Sequence, residues 1–364
     1  MVNGPVVIFS ASIGAGHDGA ARELSRRLTA HGLDVVRHDF LDMLPARFGA
    51  TLRDGYARQL RTVPQSWGWL LAAMSGPRMA TGAAGLSAGL ATTRMLAAIE
   101  PGASAVVSTY PLASQVLGRL RRTGRLDVPV AAVMTDPSVH PLCVADGVDL
   151  HLAPGRSAAD QIHAMAAPAV EVSPIVDPAF RPVRDRAERD ATRRRLGLPA
   201  DEPLAVVIAG SWGVGDVAAT AADIARGGSA LPVVVCGRND TLRHRLAASG
   251  SAIALGWVDA MPELLRSADV VVHNAGGLSS VEAMASGVPV ISYRCLPGHG
   301  TANAAVLQKA GLSPWPVTPD ELNSELRCAM NTTTGSLPAG GPDAADVIAE
   351  LAGAPAITAL AVAA

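Results

Sequence analysis

Short runs of β-branched residues alternate with alanine-rich stretches along most of this chain, and this alternation restricts its fold more than any other feature. A β-branched run favours a strand, and an alanine-rich stretch favours a helix. Strands that alternate with helices pair in parallel, in a sheet that helices cover on both faces. The sequence therefore predicts an α/β protein. The first series of runs is PVVIF (5–9), DVVRH (34–38), AVVST (105–109), VPVAAVM (128–134) and VDLHLAP (148–154).

The alternation pauses in an arginine-rich stretch over residues 181–203 and then begins again. A single hydrophobic core usually stops growing at ~250–300 residues, and this chain has 364. Two α/β domains with a cleft between them are therefore expected: the first over 1–175, a linker over 176–200 whose arginines form a solvated helix face, and the second over 201–342. The second series is LAVVIAG (204–210), LPVVVCG (231–237), IALGW (253–257), DVVVHN (269–274) and VPVISY (288–293).

The composition excludes several classes of protein. The net charge of −2 offers no overall attraction for nucleic acid. No C-x-x-C pair occurs among the four cysteines, so neither a zinc site nor a disulfide framework is indicated. The sequence has no signal-peptide pattern and no apolar run near the ~18 residues that span a bilayer, so we expect a cytoplasmic protein.

Residues 45–95 depart from the alternation. This segment contains six arginines but only one acidic residue, Asp54, and it also contains Trp67 and Trp69. Basic residues beside tryptophan and leucine are typical of proteins that dock on an anionic membrane surface, here the inner face. The equally weighted alternative is a basic, helical insertion whose tryptophans belong to a core.

The turn after the first run has the spacing of a dinucleotide-binding loop. Gly14, Gly16 and Gly19 form G-x-G-x-x-G, and Asp39 ends the second run, where an acidic residue would bind a ribose. His17 lies inside this turn, however, and an imidazole is better suited to accepting a proton than to contacting a pyrophosphate. We therefore interpret the turn as a loop that presents His17, and NAD binding as the weaker alternative.

A more complete nucleotide site follows the run DVVVHN in the second half. Gly276 and Gly277 let the backbone turn into a helix, whose first N–H groups and dipole can hold a diphosphate. Ser279 and Ser280 add hydroxyl groups, and Glu282 is expected in the first helical turn, where it can accept hydrogen bonds from ribose hydroxyls. The structural alternative is a glycine-rich turn whose glutamate only complements the helix dipole.

Several motifs then match one family in order. They are SASIGAGHDGAA (10–21), TDPSVHPLCVADGVDLHLAP (135–154), PIVDPAF (174–180), VVIAGSWGVGD (206–216), VVVCGRNDTL (233–242), ALGWVDAMPELLRSADVVVHNAGGLSSVEAMASGVPVI (254–291) and LPGHGTAN (296–303). Over roughly residues 5–312 the chain resembles GT-B glycosyltransferases of the monogalactosyldiacylglycerol synthase type, which belong to glycosyltransferase family 28. The lipid-linked N-acetylglucosaminyltransferase of peptidoglycan synthesis is related to them. The resemblance implies the GT-B fold: two Rossmann-like parallel-sheet domains, an interdomain cleft, and a C-terminal helix over 343–364 that packs back on the first domain.

The resemblance also implies roles in the first domain. His17 corresponds to the family's general base toward the acceptor hydroxyl, in an acceptor-binding loop that includes Gly14 and Gly16. Asp136 either acts as the base itself or orients His17. His140 supports the acceptor or the base. For both histidines the alternative is a ring that only satisfies local hydrogen bonds.

In the second domain the resemblance implies the donor contacts. Gly213 and Gly215 are expected near the phosphates, and the backbone of Val258 near uracil. Gly277, Ser279 and Glu282 match the diphosphate and ribose contacts, with Gly276 and Ser280 beside them.

One loop departs from the galactolipid enzymes, which have Pro-Gly-Gln-Glu there. This chain reads Pro297-Gly298-His299-Gly300, followed by Asn303. His299 and Asn303 are expected to contact the donor sugar, but the missing carboxylate at Gly300 means that galactose is not carried over as that sugar.

The predicted function is an inverting, metal-independent transfer of a sugar from a UDP-sugar to an acceptor hydroxyl, with no cofactor and no nucleic acid. A lipid acceptor such as diacylglycerol is favoured, and a small-molecule natural product is the alternative acceptor. Two more functions are compatible with the same motifs, a hydrolysing nucleotide-sugar epimerase and a non-catalytic nucleotide-sugar-binding protein. The sequence does not distinguish donor sugars, regiochemistry or oligomeric states.

Overall fold

The structure, a computed structural model, describes residues 4–45, 48, 49, 51, 55, 89–331, 337 and 340–353. Most of the basic segment 45–95, with Trp67 and Trp69, therefore lies outside the described residues, as do residues 354–364. The described chain divides into two compact units with the boundary between Ile175 and Val176, and the first unit also contains the C-terminal helix.

The first unit is built around a parallel sheet that has six strands among the described residues, in the order β2-β1-β3-β4-β5-β6. Its strands are β1 (Val6–Ser10), β2 (Val35–Asp39), β3 (Ala105–Ser108), β4 (Val130–Val133), β5 (Leu150–Ala153) and β6 (Ala169–Glu171). Its helices are α1 (Ala15–Ala30), α2 (Pro111–Arg122), α3 (Arg156–His163) and, last in the described chain, α11 (Ala344–Gly353). A further helical segment spans residues 89–98.

Both faces of this sheet are buried, which explains the continuous apolar runs in the sequence. Successive side chains of a strand point to opposite faces. Val7 and Phe9 belong to one hydrophobic cluster, whereas Ile8 belongs to another that includes Leu24 of α1 and Ile348 of α11. Helix α11 thus covers the same face of the first unit as α1.

The second unit contains a five-stranded parallel sheet within the described residues, in the order β11-β10-β7-β8-β9. The strands are β7 (Leu204–Ile208), β8 (Leu231–Val235), β9 (Ile253–Leu255), β10 (Val270–His273) and β11 (Val290–Ser292). The helices are α4 (Arg186–Arg195), α5 (Val217–Gly227), α6 (Asp240–Ser249), α7 (Met261–Ser267), α8 (Leu278–Ala285), α9 (His299–Lys309) and α10 (Pro319–Asn331).

The predicted α/β class with two parallel sheets is confirmed, and each of the ten predicted runs contains a strand. Strand β6 was not predicted. It has three residues and follows Pro168, so it offers too short a pattern for periodicity to detect. Among the described residues, no helix combines the length and the apolarity needed to cross a membrane.

The segment 176–200 is not the linker that the sequence suggested, because α4 packs against α7 within the second unit. Its arginines do not all face solvent either. Arg193 is 3% exposed and donates to the Asp269 carboxylate at 2.6 Å and to the carbonyl of Ser267 at 2.9 Å. Asp269 also accepts from the backbone N–H of Leu204 at 2.7 Å, so the buried ion pair ties α4 to the ends of two strands.

Candidate functional site

The loops after β1, β3 and β4 meet at the carboxyl edge of the first sheet, because these three strands are neighbours. The chain order reverses beside β1, and ligands of parallel α/β sheets bind at such a reversal. Gly14, in extended backbone, precedes α1, and Gly16 and His17 lie in its first turn. The predicted acceptor loop is therefore the turn from β1 into α1.

His17 is half-buried and is held by the two neighbouring loops. Its Nδ1 lies 3.3 Å from Thr135 Oγ1, and its carbonyl accepts from Thr109 Oγ1 at 3.1 Å. The ring of Tyr110 meets the imidazole edge-on, with the ring centres 5.5 Å apart. When Nδ1–H donates to Thr135, Nε2 carries the lone pair that a general base needs.

Asp136 follows Thr135 directly and is half-buried. Burial, with a further contribution from the Asp136 carboxylate, raises the pKa of the Cys143 thiol to about 12. The structure therefore brings His17 and Asp136 into one neighbourhood of the first unit. Cys143 there remains a neutral thiol at ordinary pH.

His140 has a local structural role. Its Nδ1 accepts from the backbone N–H of Leu142 at 3.1 Å and caps the short 3-10 helix that follows. His140 therefore stabilises the turn that follows Asp136, and its predicted support of the acceptor or the base stays a prediction.

Asp39, the acidic residue that a dinucleotide site would require, is also engaged locally. Its Oδ1 accepts from the backbone N–H of Leu41 at 2.9 Å and from that of Ser12 at 3.4 Å. The carboxylate thus links the end of β2 to the turn after β1.

In the second unit, three loops approach one another so closely that glycine is required. Gly213 and Gly215 have φ angles of +53° and +92°. A Cβ on Gly213 would lie 2.3 Å from the carbonyl oxygen of Cys236, and one on Gly215 would lie 2.7 Å from Asn274 Nδ2. These residues therefore allow the loops after β7, β8 and β10 to meet at one edge.

The turn from β10 into α8 contains the residues that the sequence predicts to hold the diphosphate. Gly276 has a φ of +74°, Gly277 precedes the helix, and Ser279 is half-buried in its first turn. Helix α8 directs its first N–H groups and its positive dipole end to this turn. Glu282 is half-buried and lies at the fifth helical residue, so it belongs to the second turn and not, as predicted, to the first.

Ser280 and Asn303 are internal supports of this turn. Ser280 is fully buried, and its hydroxyl donates to the carbonyls of Gly276 at 3.0 Å and Gly277 at 2.7 Å. Asn303 is also fully buried and donates to the carbonyl of Ala275 at 2.9 Å. The predicted ligand hydroxyl and sugar contact thus hold the backbone of the glycine turn.

The loop before α9 carries the departure from the galactolipid enzymes. His299 is half-buried at the first position of α9. At Gly300 a Cβ would lie 2.6 Å from the carbonyl oxygen of Asn274. This backbone therefore has no room for the missing carboxylate, and the change at position 300 is a change of backbone packing as well as of charge.

Asn274, which sequence reasoning missed, connects these loops. Its side-chain Nδ2 donates to the carbonyl of Val214 at 2.7 Å, and its backbone carbonyl accepts from the backbone N–H of Leu296 at 2.8 Å. The only signal was its position at the end of the run DVVVHN. Thr135 was missed in the same way, although it begins a matched motif.

Beside Asn274, His273 is buried beneath the glycine turn. Its Nε2 lies 3.2 Å from Ser292 Oγ, which lies 3.0 Å from Ser313 Oγ. Burial lowers the pKa of His273 to about 4. The ring is therefore neutral at physiological pH.

Val258 follows β9 and packs, half-buried, against the core of the second unit. Over the ranges that the structure describes, no three His, Cys, Asp or Glu side chains lie together as a metal centre would require.

Part of this chain is similar in sequence to known glycosyltransferases. Residues 212–327 match the family described as "Glycosyl transferases group 1", and this range runs from the loop after β7 into α10. The processive diacylglycerol beta-glucosyltransferase of Bacillus subtilis (strain 168) is 27% identical over 212 residues, which are 57% of this chain and 55% of that protein. The chain thus matches about half the length of this relative.

Solved structures resemble the chain over nearly its whole length. MurG of Acinetobacter baumannii has a TM-score of 0.53 at 16% identity, over 96% of this chain and 99% of that chain. Anabaena HepE, in complex with UDP and glucose, has a TM-score of 0.54 at 13% identity, over 95% of this chain and 94% of that chain. At such identities the likeness shows the fold, and the predicted GT-B fold is confirmed.

Proposed function

We propose that the protein is a glycosyltransferase that moves a sugar from a UDP-sugar to an acceptor hydroxyl, with inversion at the anomeric carbon. The observation that carries this proposal is the glycine turn into α8, within the range that matches group 1 glycosyltransferases. A structural relative with the same fold, HepE, is in complex with UDP and glucose, which supports a nucleotide-sugar donor here.

The donor diphosphate would lie at the N-terminus of α8, near Gly277 and Ser279. Backbone N–H groups and the helix dipole stabilise the negative charge that grows on a departing diphosphate, and they need no reorganisation during the reaction. Gly213 and Gly215 bring a second loop to the same turn through the hydrogen bond of Asn274 to Val214. Glu282 is proposed to accept from the ribose hydroxyls, Val258 to meet the uracil, and His299 to contact the sugar.

The first unit would supply the base. His17 Nε2 takes the proton of the acceptor hydroxyl as the acceptor oxygen bonds to the anomeric carbon, and the bond from that carbon to the diphosphate oxygen breaks to release UDP. A positioned base contributes ~10²–10⁴-fold to such a step. Thr135 holds Nδ1, which favours His17 over Asp136 as the base and gives Asp136 a supporting role.

A lipid acceptor such as diacylglycerol is supported by the name of the Bacillus relative and by the basic segment 45–95. A UDP-sugar donor would place the reaction in the cytoplasm, with 45–95 as a peripheral membrane contact. Flotation with phosphatidylglycerol vesicles tests that contact. Binding that disappears at high salt supports it, and no binding at low salt contradicts it.

The decisive experiment offers a panel of UDP-sugars with diacylglycerol, with a pooled metabolite extract and with no acceptor, and identifies products by mass spectrometry. Glycosylated diacylglycerol supports the full proposal. Products from the metabolite pool alone make the acceptor a small molecule. Sugar released or epimerised without any acceptor overturns transfer in favour of a hydrolysing epimerase.

Two histidine variants on one helix then test the mechanism. H17A is expected to lose ~10²-fold or more of the rate with the fold intact. H31A, at the exposed end of the same helix, is the matched control and is expected to keep the wild-type rate. Equal rates for H17A and wild type would remove His17 from the proposed mechanism.

A further inference from the structure

A buried aspartate of α5 holds the loop that follows β11. Asp223 is 4% exposed, and its Oδ2 accepts from the hydroxyl of Tyr293 at 3.0 Å. The same oxygen accepts from Nη2 of Arg294 at 2.8 Å and from its Nε at 3.2 Å. Tyr293 and Arg294 come directly after β11, so one carboxylate binds two successive residues of the loop.

The other oxygen of Asp223 has a partner on α5 itself. Its Oδ1 accepts from Nη1 of Arg226 at 3.0 Å. The side chain of Arg226 is 68% exposed, whereas that of Arg294 is 33% exposed. Both arginines therefore pair with the same carboxylate, but only Arg294 connects it to the loop after β11.

The backbone of Arg294 is strained. Its φ is +45°, a value that residues with a Cβ rarely adopt. In the part of the chain that the structure describes, Ala166 is the other non-glycine residue with a positive φ. Such a conformation costs free energy and persists only where surrounding contacts enforce it. The two hydrogen bonds from the Arg294 side chain to Asp223 are contacts of this kind.

The loop that begins at Arg294 leads to His299, the predicted contact of the donor sugar. Leu296 lies between them and donates its backbone N–H to the carbonyl of Asn274 at 2.8 Å. The carbonyl of Leu296 accepts from the backbone N–H of Thr301 at 3.0 Å. Leu296 thus links the end of β10 to the first turn of α9, whose first residue is His299. A change in the turn at Arg294 would therefore be passed on to His299.

The guanidinium of Arg294 is occupied by carboxylates. Its Nε and Nη2 donate to Asp223, and its Nη1 lies 3.6 Å from the carboxylate of Asp216, which directly precedes α5. A guanidinium that is engaged on all three nitrogens holds loops together and has little left to offer a ligand. The geometry therefore favours a positioning role for Arg294 over direct contact with the substrate.

We infer that Arg294 is a positioning residue for the donor sugar. Its ion pair with Asp223 fixes the turn after β11, and this turn sets where His299 presents its ring to the sugar. The inference rests on the proposed UDP-sugar donor and on the proposed contact of His299. UDP lacks the transferred sugar, so Arg294 matters for turnover of the UDP-sugar and not for the affinity of UDP.

Steady-state kinetics and calorimetry test this role, with the UDP-sugar and acceptor that give product in the panel above and with UDP alone. R294A is expected to lower kcat/KM for the UDP-sugar roughly tenfold, because a displaced contact stabilises the transition state less. The Kd of UDP is expected to stay at the wild-type value. R226A is the matched control, since it removes the exposed partner of the same carboxylate, and it is expected to keep the wild-type kcat/KM.

Two further variants separate positioning from folding. Glycine adopts a positive φ without strain, so R294G is expected to fold and still lose kcat/KM as R294A does, because the anchor is absent. R294K keeps a cation for Asp223 and is expected to recover part of the loss. In an H299A background, R294A is expected to have little further effect, because the side chain that it positions is gone.

Several results would overturn the positioning role while leaving the UDP-sugar donor in place. They are a wild-type kcat/KM in R294G or in H299A, equal losses in R294A and R226A, a parallel loss of UDP affinity, or independent effects of R294A and H299A. A wild-type protein that turns over no UDP-sugar overturns the proposed transfer itself, and the role of Arg294 with it.

Discussion

His17 and His273 occupy opposite surroundings. His17 is half-buried at the edge of the first sheet, with its Nδ1 3.3 Å from Thr135 Oγ1 and the ring of Tyr110 nearly perpendicular to its own. His273 is 2% exposed at the end of β10, with Ser292 as its polar neighbour. The first environment places the ring beside a hydroxyl group at a sheet edge, whereas burial in the second lowers the pKa of the ring.

The hydroxyl of Thr135 should matter for turnover and not for donor binding. Since it holds the Nδ1 of the proposed base, T135V is expected to lower kcat by roughly 3–10-fold, the value of one hydrogen bond of ~1 kcal/mol, with little change in KM for the UDP-sugar. T135S keeps the hydroxyl and is expected to retain most of the rate. T123V, at the exposed end of α2, is the control. Steady-state kinetics with varied donor check this, and a raised KM with unchanged kcat would contradict it.

The burial of His273 predicts a loss of stability in acid. Its pKa falls from 6.5 in the unfolded chain to about 4 in the fold, so between these pH values the unfolded state binds a proton that the native state does not. The free energy of unfolding should therefore decrease as pH falls from 6.5 to 4, by ~3 kcal/mol in total. Below pH 4 the native state takes up the proton too, and this contribution stops changing.

Urea unfolding between pH 7 and pH 4.5 measures this dependence. H273Q is expected to show a smaller decrease in the free energy of unfolding than the wild type, because it has no imidazole at that position. H244Q changes an exposed histidine of α6 and should keep the wild-type dependence. If H273Q and the wild type lose the same free energy over this range, another group is responsible for the acid sensitivity.

At the scale of elements, a buried ion pair determines how α4 packs on the second unit. A helix with many arginines predicts a solvated face, and several of its arginines are indeed exposed. Arg193 instead donates to Asp269, which lies just before β10. The same carboxylate also accepts from the backbone N–H of Leu204, the first residue of β7. A distant carboxylate therefore determines which arginine is buried, and spacing within the helix does not reveal it.

Two neighbouring arginines of α4 give a direct test of this role. R193A removes the buried partner of Asp269, whereas Arg189 stays paired with the same carboxylate at 2.9 Å, so R193A is expected to destabilise the protein by about 1.5–3 kcal/mol. R194A changes an exposed arginine on the same helix and is expected to stay within about 0.5 kcal/mol of wild type. Chemical denaturation of both variants measures the difference. Equal stabilities would return α4 to the status of a loosely attached linker.

At the scale of the whole molecule, the sequence predicted the features that follow from local patterns, but not the side-chain contacts that depend on residues distant in the chain. The sheets were predictable because strands buried on both faces read as continuous apolar runs, and the glycine turns because only glycine tolerates their backbone. The inward roles of Ser280 and Asn303 were not, since a serine or asparagine at ligand-compatible spacing has the same sequence pattern whether it faces a ligand or a carbonyl. The three-residue strand β6 was too short to carry a period.

The two glycine-rich turns of the chain allow two different nucleotide sites, and hydrogen exchange separates them. If the donor binds the second unit, UDP should slow amide exchange over 210–216 and 274–282, because bound phosphates accept from N–H groups in these two loops. Exchange over 11–19 should not change. Saturation at 100 times the Kd should also stabilise the protein by ~2.7 kcal/mol. NAD should do neither. Protection of 11–19 by NAD, with no effect of UDP on the second unit, would instead make G-x-G-x-x-G a dinucleotide turn and take away the base role of His17.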